Sequence, residues 1–255
     1  MNDPYSGLAK RFTRSYETLR GAIRYEQVWK QLAPFLPESK LRVIDIGGGA
    51  GHQAIRFARA GHEVWLVDPS VEMLRRAKAA IKLESESVQD RLTLLQAYGS
   101  DVMDLLPAGS RFDAVVCQGV LMYEPEPEPL LDKLAELMRA DAVLSIVAKN
   151  QLAMALRPAL QGRWADAARS FDLDRDVGGL GVETRADSPD ELSYILKGLG
   201  VDTLNWYGVR VLTDHRMDEK PGGDFEDVLA AEMTAGARDP YRQIGRLFHL
   251  VGRKG

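Results

Sequence analysis

The sequence predicts an α/β fold in which helices cover both faces of a mostly parallel sheet. Five short apolar runs alternate with helical patterns between residues 41 and 150. Continuous apolar runs of this kind are typical of strands that are buried on both faces. Strands that alternate with helices imply right-handed βαβ crossovers. In addition, a cluster of glycines follows the first run directly, where the chain passes from a strand to a helix.

The elements can be placed from local signals. Gly61 is expected to end the first core helix in a left-handed cap, and Ser70 to begin the second. The predicted strands are 41–46, 64–67, 92–95, 114–117 and 143–147, and the predicted helices between them are 52–60, 71–81 and 129–139.

We expect a single domain over residues 1–255, with four parts. Residues 1–36 are predicted to be an N-terminal helical cap, with its helix around 16–32, and residues 37–150 are the core. Residues 151–187 interrupt the alternation with a short helical stretch and a Gly- and Asp-rich loop, which is typical of a lid insertion. Residues 188–255 are predicted to complete the sheet with a helix over 189–199 and two closing strands, 201–207 and 247–251.

Composition excludes several classes of protein. The 255 residues are 45% hydrophobic and 27% charged, which indicates a globular chain rather than a disordered one. One cysteine and four histidines without metal-binding spacing predict no metal site. No apolar run is long enough for a membrane span and the start lacks a secretory signal, so we expect a cytoplasmic protein. The net charge is −4, although the two ends are basic.

The glycine cluster is the strongest functional signal. Asp45 is followed by Gly47, Gly48, Gly49 and, after one alanine, Gly51. Glycines at a strand-to-helix junction allow a sharp turn and a close approach of the backbone to a ligand. Asp68 stands 17 residues after Gly51 at the end of the second strand, where a carboxylate can accept both hydroxyls of a ribose. Together these residues predict a nucleoside-bearing ligand.

Two kinds of nucleoside ligand remain open. Residues 49–54 also fit the dinucleotide fingerprint G-x-G-x-x-A, so an NAD enzyme or a regulatory nucleotide-binding protein is an alternative. However, the acidic Asp45 precedes the glycines, and a negative strand end favours a ligand with ammonium and sulfonium groups over a pyrophosphate. The helix also begins with His52 and Gln53 instead of small residues.

Four separated motifs resemble those of class I S-adenosylmethionine-dependent methyltransferases. Residues 45–51 match the glycine motif, Asp68 the ribose-binding acid, residues 99–101 the segment that faces adenine, and Gln118 the end of the fourth strand. The resemblance implies a Rossmann-like fold and S-adenosyl-L-methionine as cofactor.

A narrower resemblance covers most of the chain. Residues 19–23 (LRGAI), 208–211 (GVRV) and the tail from Asp239 to His249 are similar to the bacterial family that methylates 5-carboxymethoxyuridine in tRNA. That resemblance implies tRNA as a partner and an arginine, here Arg20, that contacts the cofactor. The implied cofactor-binding residues are Arg20, Asp45, Gly47, Gly48, Gly49, Asp68, Gly99, Ser100 and Gln118.

A carboxylate acceptor fits the absence of an evident acid–base pair, because a carboxylate is ionised at neutral pH and needs no general base. It must instead be held, and arginine can bind it through two parallel hydrogen bonds. The candidates are Arg210 and Arg246, with Arg242 also in the tail; Arg157 and Arg163 in the insertion are weaker. A small-molecule O- or N-methyltransferase is the alternative within the same fold.

Overall fold

The computed structural model describes residues 16–177 and 181–255. The predicted cap segment before residue 16 and residues 178–180 of the insertion lie outside the described residues. The strands are β1 Arg42–Ile46, β2 Glu63–Val67, β3 Leu92–Leu95, β4 Phe112–Gln118, β5 Met138–Lys149, β6 Arg175–Val177, β7 Glu183–Arg185, β8 Val201–Val209 and β9 Leu247–Lys254. The α-helices are α1 Leu19–Leu32, α2 His52–Arg59, α3 Val71–Ile81, α4 Glu86–Gln89, α5 Val102–Leu105, α6 Glu128–Leu137, α7 Leu156–Leu160, α8 Trp164–Ser170, α9 Pro189–Gly198 and α10 Phe225–Gly236.

Seven strands form one sheet in the order β3-β2-β1-β4-β5-β9-β8. The first five pair in parallel, whereas β9 runs antiparallel to both of its neighbours. The strand order reverses between β1 and β4, so the crossovers leave β1 in opposite directions and open a crevice at the carboxyl ends of these two strands. The predicted mostly parallel sheet is confirmed, and the crevice is where such a sheet binds ligands.

Both faces of the sheet are buried, which explains the continuous apolar runs in the sequence. In β1, Val43 packs into one core layer with Phe57 of α2. Its neighbour Ile44 packs into the opposite layer with Leu131 of α6. Since successive side chains of a strand point to opposite faces, both faces of β1 need apolar residues.

The helix α1 lies across one end of this sheet. Thr18 caps it, because its side chain accepts a hydrogen bond from the Gly21 backbone N–H at 3.3 Å. Its buried residues include Ile23 and Val28, and Val28 packs against Val147 of β5. The predicted N-terminal helix is therefore present, and it places two arginines, Arg20 and Arg24, near the carboxyl ends of the strands.

Several elements differ from the sequence prediction. The short helices α4 and α5 have no counterpart among the predicted elements. The Gly- and Asp-rich part of the insertion, predicted as a loop, contains a two-stranded hairpin of β6 and β7. Helix α10 was not predicted at all. Its pattern is weak because its buried face combines Leu229 with the small residues Ala235 and Gly236 and with a fully buried acid, Glu232.

Within residues 16–177 and 181–255, no helix has both the length and the apolar character that crossing a membrane requires.

Candidate active site

The glycine loop after β1 folds tightly under the end of β4. The backbone N–H groups of Gly47 and Gly48 both donate to the Val67 carbonyl oxygen, at 2.7 and 3.1 Å. Gly47 has φ +69°, and a Cβ atom there would lie 2.2 Å from the Val120 side chain. A side chain at this position is therefore excluded by conformation and by space, so glycine is required for the loop to reach β4.

Asp68 locks the loop from the neighbouring strand. One carboxylate oxygen accepts from the Gly49 N–H at 2.9 Å, and the other accepts from the Ser70 N–H at 2.9 Å. Asp68 is 7% exposed. A carboxylate oxygen can accept more than one hydrogen bond, so this side chain can both shape the loop and accept from a ribose.

A cleft with about 1050 Å³ of empty space, measured to its open mouth, lies over these residues. Gly47, Gly49 and Asp68 form one side, and Gln118 and Tyr123 form the other. An inner pocket of about 410 Å³ adjoins it, shares Arg24, Gly47 and Gln118 with it, and adds Asp45 and Gly48. The structure thus brings the predicted glycines, both predicted acids and Gln118 together.

The third predicted segment is only partly in the cleft. Gly99 lines it, and so does the preceding Tyr98, which we did not predict. Ser100 is exposed instead, and its hydroxyl donates to the Asp101 carboxylate at 2.8 Å. The side chain of Ser100 is therefore directed to a local partner, although it follows the cleft residue Gly99 directly.

Asp45 is a buried carboxyl group with a raised pKa. It is 3% exposed at the bottom of the inner pocket. Burial raises the pKa of this carboxyl to about 7; the neighbouring charge of Asp68 acts in the same direction, whereas Arg24 lowers it. A buried carboxyl at neutral pH, poised between its two states, favours a cationic ligand in this pocket.

The arginine at the cleft is Arg24 and not the predicted Arg20. Arg24 lines both the cleft and the inner pocket, and its Nη2 donates to the Gln118 carbonyl oxygen at 2.7 Å. Arg20 lines neither; its Nη1 lies 3.0 Å from the sulfur of Met217. The two arginines are four residues apart on one helix face, so both point the same way but one turn apart along the axis. Arg20 is therefore not among the residues that line the cleft or the inner pocket, and its contact with the cofactor stays a prediction.

The predicted acceptor arginines line a separate small pocket of about 240 Å³, which we call the arginine pocket. Arg210, Arg246 and Arg157 form its wall with Asp214. Asp214 accepts from both Nε and Nη2 of Arg157 and lies 3.3 Å from Nε of Arg210. Burial lowers the pKa of Arg210 to about 9, whereas the arginines hold the pKa of Asp214 at about 2.

Further charges surround the arginine pocket. Arg246 donates to Asp176 of the insertion hairpin at 3.1 Å, and the buried Lys149 at the end of β5 also donates to Asp176. Arg20 lies within electrostatic range of Arg157, Asp214, Asp218 and Arg246. Five cations (Arg20, Lys149, Arg157, Arg210 and Arg246) thus face three carboxylates (Asp176, Asp214 and Asp218). The excess of positive charge makes the pocket suited to an anion.

The arginine pocket and the cleft are neighbours. Arg24 lies within electrostatic range of Asp45 and His52 on the cleft side, and of Arg210 on the other side. The remaining candidates have local partners: Arg242 stacks on Trp206, with 4.2 Å from its guanidinium to the ring centroid, and pairs with Asp239.

Sequence reasoning missed Glu232, which holds the loop that begins at Arg210. Its carboxylate accepts from the backbone N–H groups of Val211, Leu212 and Thr213 at 2.8–3.1 Å and from the Thr213 hydroxyl at 2.6 Å. These bonds fix the turn that begins at Arg210, which has φ +56°. No sequence signal pointed to Glu232, because its helix was not predicted and an acidic residue is normally solvated.

Cys117 is fully buried in β4, and burial raises the pKa of its thiol. Among the described ranges, 16–177 and 181–255, no three metal-ligating side chains come together.

Comparison with known proteins identifies the class. Residues 44–144 match a family described as a methyltransferase domain. The magnesium protoporphyrin IX methyltransferase of Synechocystis, solved with bound SAH, is 15% identical with a TM-score of 0.64, covering 98% of this chain and 96% of that one. An S-adenosylmethionine-dependent methyltransferase structure from Mesorhizobium loti is 19% identical with a TM-score of 0.63, covering 89% and 98%. The protein is an S-adenosylmethionine-dependent methyltransferase with the Rossmann-like class I fold.

One relative matches along nearly the whole chain. The tRNA 5-carboxymethoxyuridine methyltransferase of Escherichia coli K12 is 29% identical over 255 residues, which cover 98% of this chain and 95% of that protein. A ubiquinone biosynthesis O-methyltransferase of Rhodopseudomonas palustris is 28% identical, but over 64% of this chain and 59% of that protein.

The site fits S-adenosylmethionine, the cofactor of this class. A sulfonium and an ammonium group are both positive, and the buried Asp45 would gain from either charge. The Gly47 backbone approaches the cleft where no Cβ atom could stand.

Proposed function

We propose that the protein methylates the carboxylate of 5-carboxymethoxyuridine at the wobble position of tRNA. The excess of positive charge in the arginine pocket, next to the cleft, is the observation that carries this proposal. An anionic acceptor would compensate it, whereas a neutral phenol or amine would leave buried cations unpaired. The similarity to the E. coli tRNA enzyme along 98% of the chain supports the same acceptor.

For the cofactor, we propose that Asp68 accepts the ribose hydroxyls and that Gly99 with Tyr98 borders the adenine. The backbone of Gly47, Gly48 and Gly49 would lie under the cofactor. The methionine part would then occupy the inner pocket, with its ammonium near Asp45 and its carboxylate near Arg24. Gln118 stands where the cleft and the inner pocket meet.

The proposed reaction requires the protein mainly to position the cofactor and the acceptor. When bound, S-adenosylmethionine supplies an electrophilic methyl group on a sulfonium. The acceptor carboxylate is ionised at neutral pH, so the residues of the site would have no proton to remove from it. Arg210 and Arg246 would hold the carboxylate in line with the methyl group, and positioning supplies much of the rate.

The insertion at 151–187 would act as a lid over the acceptor, because it contributes Arg157 to the pocket wall and Asp176 as a partner of Arg246. A tRNA substrate also implies a cytoplasmic location.

The direct test is methyl transfer to defined tRNA. The purified protein and isotopically labelled S-adenosylmethionine are incubated with tRNA that carries 5-carboxymethoxyuridine, and nucleosides are analysed by mass spectrometry. We expect one methyl group per modified uridine, removable by mild base as expected for an ester. The same tRNA with 5-methoxyuridine, which lacks the carboxylate, should remain unlabelled. Labelling of both tRNAs, or of neither, contradicts the proposal.

A variant separates acceptor binding from cofactor binding. Arg246→Gln should raise KM for the tRNA about tenfold or more, because a charge-assisted hydrogen bond contributes about 1.5–3 kcal/mol, while the Kd for S-adenosylmethionine stays unchanged. Arg139→Gln is the matched control, since Arg139 is exposed and pairs with Asp113 at the opposite end of β4.

The pH profile of the reaction separates a carboxylate acceptor from a phenol or amine acceptor. With saturating cofactor, the methyl-transfer rate to a carboxylate should be flat between about pH 6 and 9. A log-linear rise across that range would favour a phenol or amine.

A further inference from the structure

A chain of buried hydrogen bonds runs from the cleft to helix α1, through side chains that the proposed reaction does not use. Nε2 of Gln118 donates to Oγ of Ser145 in β5 at 2.8 Å. That oxygen lies 2.9 Å from Nε2 of His249 in β9. Nδ1 of His249 lies 2.9 Å from Oε1 of Gln31 in α1. Ser145 and His249 are fully buried, so the middle of the chain is shielded from water.

The direction of every bond in this chain is determined. Nε2 of Gln31 faces the backbone carbonyl oxygen of Gly208 at 3.5 Å, and a carbonyl can only accept. Oε1 of Gln31 therefore faces His249 and accepts from its Nδ1–H. Burial lowers the pKa of His249 to about 3, so the ring carries a single proton. Its Nε2 is then an acceptor for the Ser145 hydroxyl, whose oxygen accepts in turn from Gln118.

The opposite direction of hydrogen bonding would produce a repulsive contact at the Gln31 end of the chain. If the Gln118 amide were turned over, the Ser145 hydroxyl would donate to it and His249 would have to donate through Nε2. Nδ1 of His249 and Oε1 of Gln31 would then be two acceptors 2.9 Å apart. Turning Gln31 over as well would set its oxygen against the Gly208 carbonyl. Each rearrangement leaves a repulsive pair in a buried site.

The orientation has a consequence in the cleft. Because an amide group is planar, binding of Nε2 to Ser145 turns Oε1 of Gln118 away from that hydroxyl, and Gln118 lines both the cleft and the inner pocket. Among the described residues, no donor bonds to this oxygen and it is not buried without a partner. This carbonyl oxygen is the negative end of a fixed dipole. It would lie near the sulfur of a ligand that joins a nucleoside to an amino-acid tail.

We propose that Ser145 and His249 are positioning residues that hold the Gln118 carbonyl oxygen toward the cofactor sulfur, so that the site prefers the sulfonium cofactor to its neutral, demethylated product. A preoriented dipole stabilises a positive charge without reorganisation. The same dipole gives no advantage to the uncharged sulfide of S-adenosylhomocysteine. The preference would favour exchange of spent product for fresh cofactor. The proposal rests on the cofactor class and is independent of which acceptor is methylated.

The test compares the affinities for the two cofactor forms by calorimetry. Ser145→Ala removes the link to Gln118. We expect the Kd for S-adenosylmethionine to rise about 3- to 10-fold, as for one lost hydrogen bond, while the Kd for S-adenosylhomocysteine changes less than about twofold. Ser145→Thr keeps the hydroxyl and should restore the wild-type ratio. Ser110→Ala is the matched control, because it removes a buried hydroxyl that bonds to Pro107 just before the other end of β4.

Other outcomes contradict the proposal. An equal loss of affinity for both ligands would indicate a merely structural role, and unchanged affinities would show that the chain does not act on the site. Gln118→Leu removes the carbonyl oxygen itself and should give the same selective loss. If that variant binds both ligands as the wild type does, the inference is wrong even if Ser145→Ala fails to fold.

Discussion

Asp45 should lower the free energy of unfolding of the ligand-free protein at neutral pH. Comparison with the Asp45→Asn variant measures the size of this effect. In the folded protein burial raises the pKa of this carboxyl from 3.8 to about 7, with a further contribution from Asp68. The folded protein therefore keeps the proton up to about pH 7, whereas the unfolded chain releases it near pH 4. The contribution of Asp45 to the free energy of unfolding is therefore largest below pH 4, and it decreases as pH rises to about 7.

The magnitude follows from the two pKa values. Each pH unit between them corresponds to about 1.4 kcal/mol, so ionised Asp45 costs the folded state about 4 kcal/mol. Asparagine has nearly the shape of the protonated carboxyl and does not titrate. The Asp45→Asn variant should therefore match the wild type near pH 4. It should become progressively more stable than the wild type up to about pH 7, and the difference should stay constant above that.

Urea unfolding of both proteins at four pH values between 4.5 and 7.5 measures this difference. Other groups also titrate in the range; burial lowers the pKa of His249 to about 3, which makes the protein more stable as pH rises through 3 to 6.5. That contribution is the same in both proteins and cancels in the difference. A stability difference that does not change with pH would refute the assignment of a strained, ionisable Asp45.

Asp45→Asn should weaken ligand binding at neutral pH and above, although it stabilises the free protein there. Ionised Asp45 attracts a cationic ligand, so the affinity of the wild type for S-adenosylmethionine should rise with pH through about 7. The Asp45→Asn variant should lose this pH dependence and bind more weakly than the wild type at pH 8. Calorimetry in buffers of different ionisation enthalpy should detect proton release on binding to the wild type alone.

Four further substitutions test the site. Asp68→Ala should weaken S-adenosylmethionine binding about 10- to 100-fold in calorimetry, because it removes charge-assisted hydrogen bonds of about 1.5–3 kcal/mol; binding within twofold of the wild type would exclude a ribose contact. Arg24→Ala should weaken cofactor binding, whereas Arg20→Ala should leave it unchanged and raise KM for the acceptor; the reverse result would restore the sequence-based assignment of Arg20. Glu232→Gln should lower the free energy of unfolding by about 1–3 kcal/mol, measured in urea, since one buried N–H loses its acceptor; an unchanged value would contradict the anchoring of the 210–214 turn.

The sequence by itself determined the sheet core and the cleft side of the site. The glycine loop, Asp45 and Asp68 stand at the ends of consecutive strands, and parallel strands bring their carboxyl ends to one edge of a sheet. The order of these residues along the chain was enough to place them together, because short βα turns leave little freedom of arrangement. The buried strands were equally clear, since both of their faces need apolar residues.

Only the tertiary structure decided which arginine reaches the cleft. Arg20 and Arg24 share one face of α1, so helical periodicity treats them alike. Their difference lies along the helix axis, and the position of that axis over the strands is fixed by packing contacts such as Val28 against Val147. A motif that matches Arg20 identifies the correct face of the helix but does not fix its axial position.

The arginine pocket and the hydrogen-bonded chain were also beyond local reasoning. Gln31 and His249 are 218 residues apart, and Arg157 and Asp214 are 57 apart. Each of these polar side chains reads in sequence as a solvated residue, because polar residues are usually exposed. Such side chains can be buried stably only when each of them finds its hydrogen-bond partners, as Glu232 does with its four donors. Whether the partners come together depends on how α10, β9 and the insertion pack against the sheet.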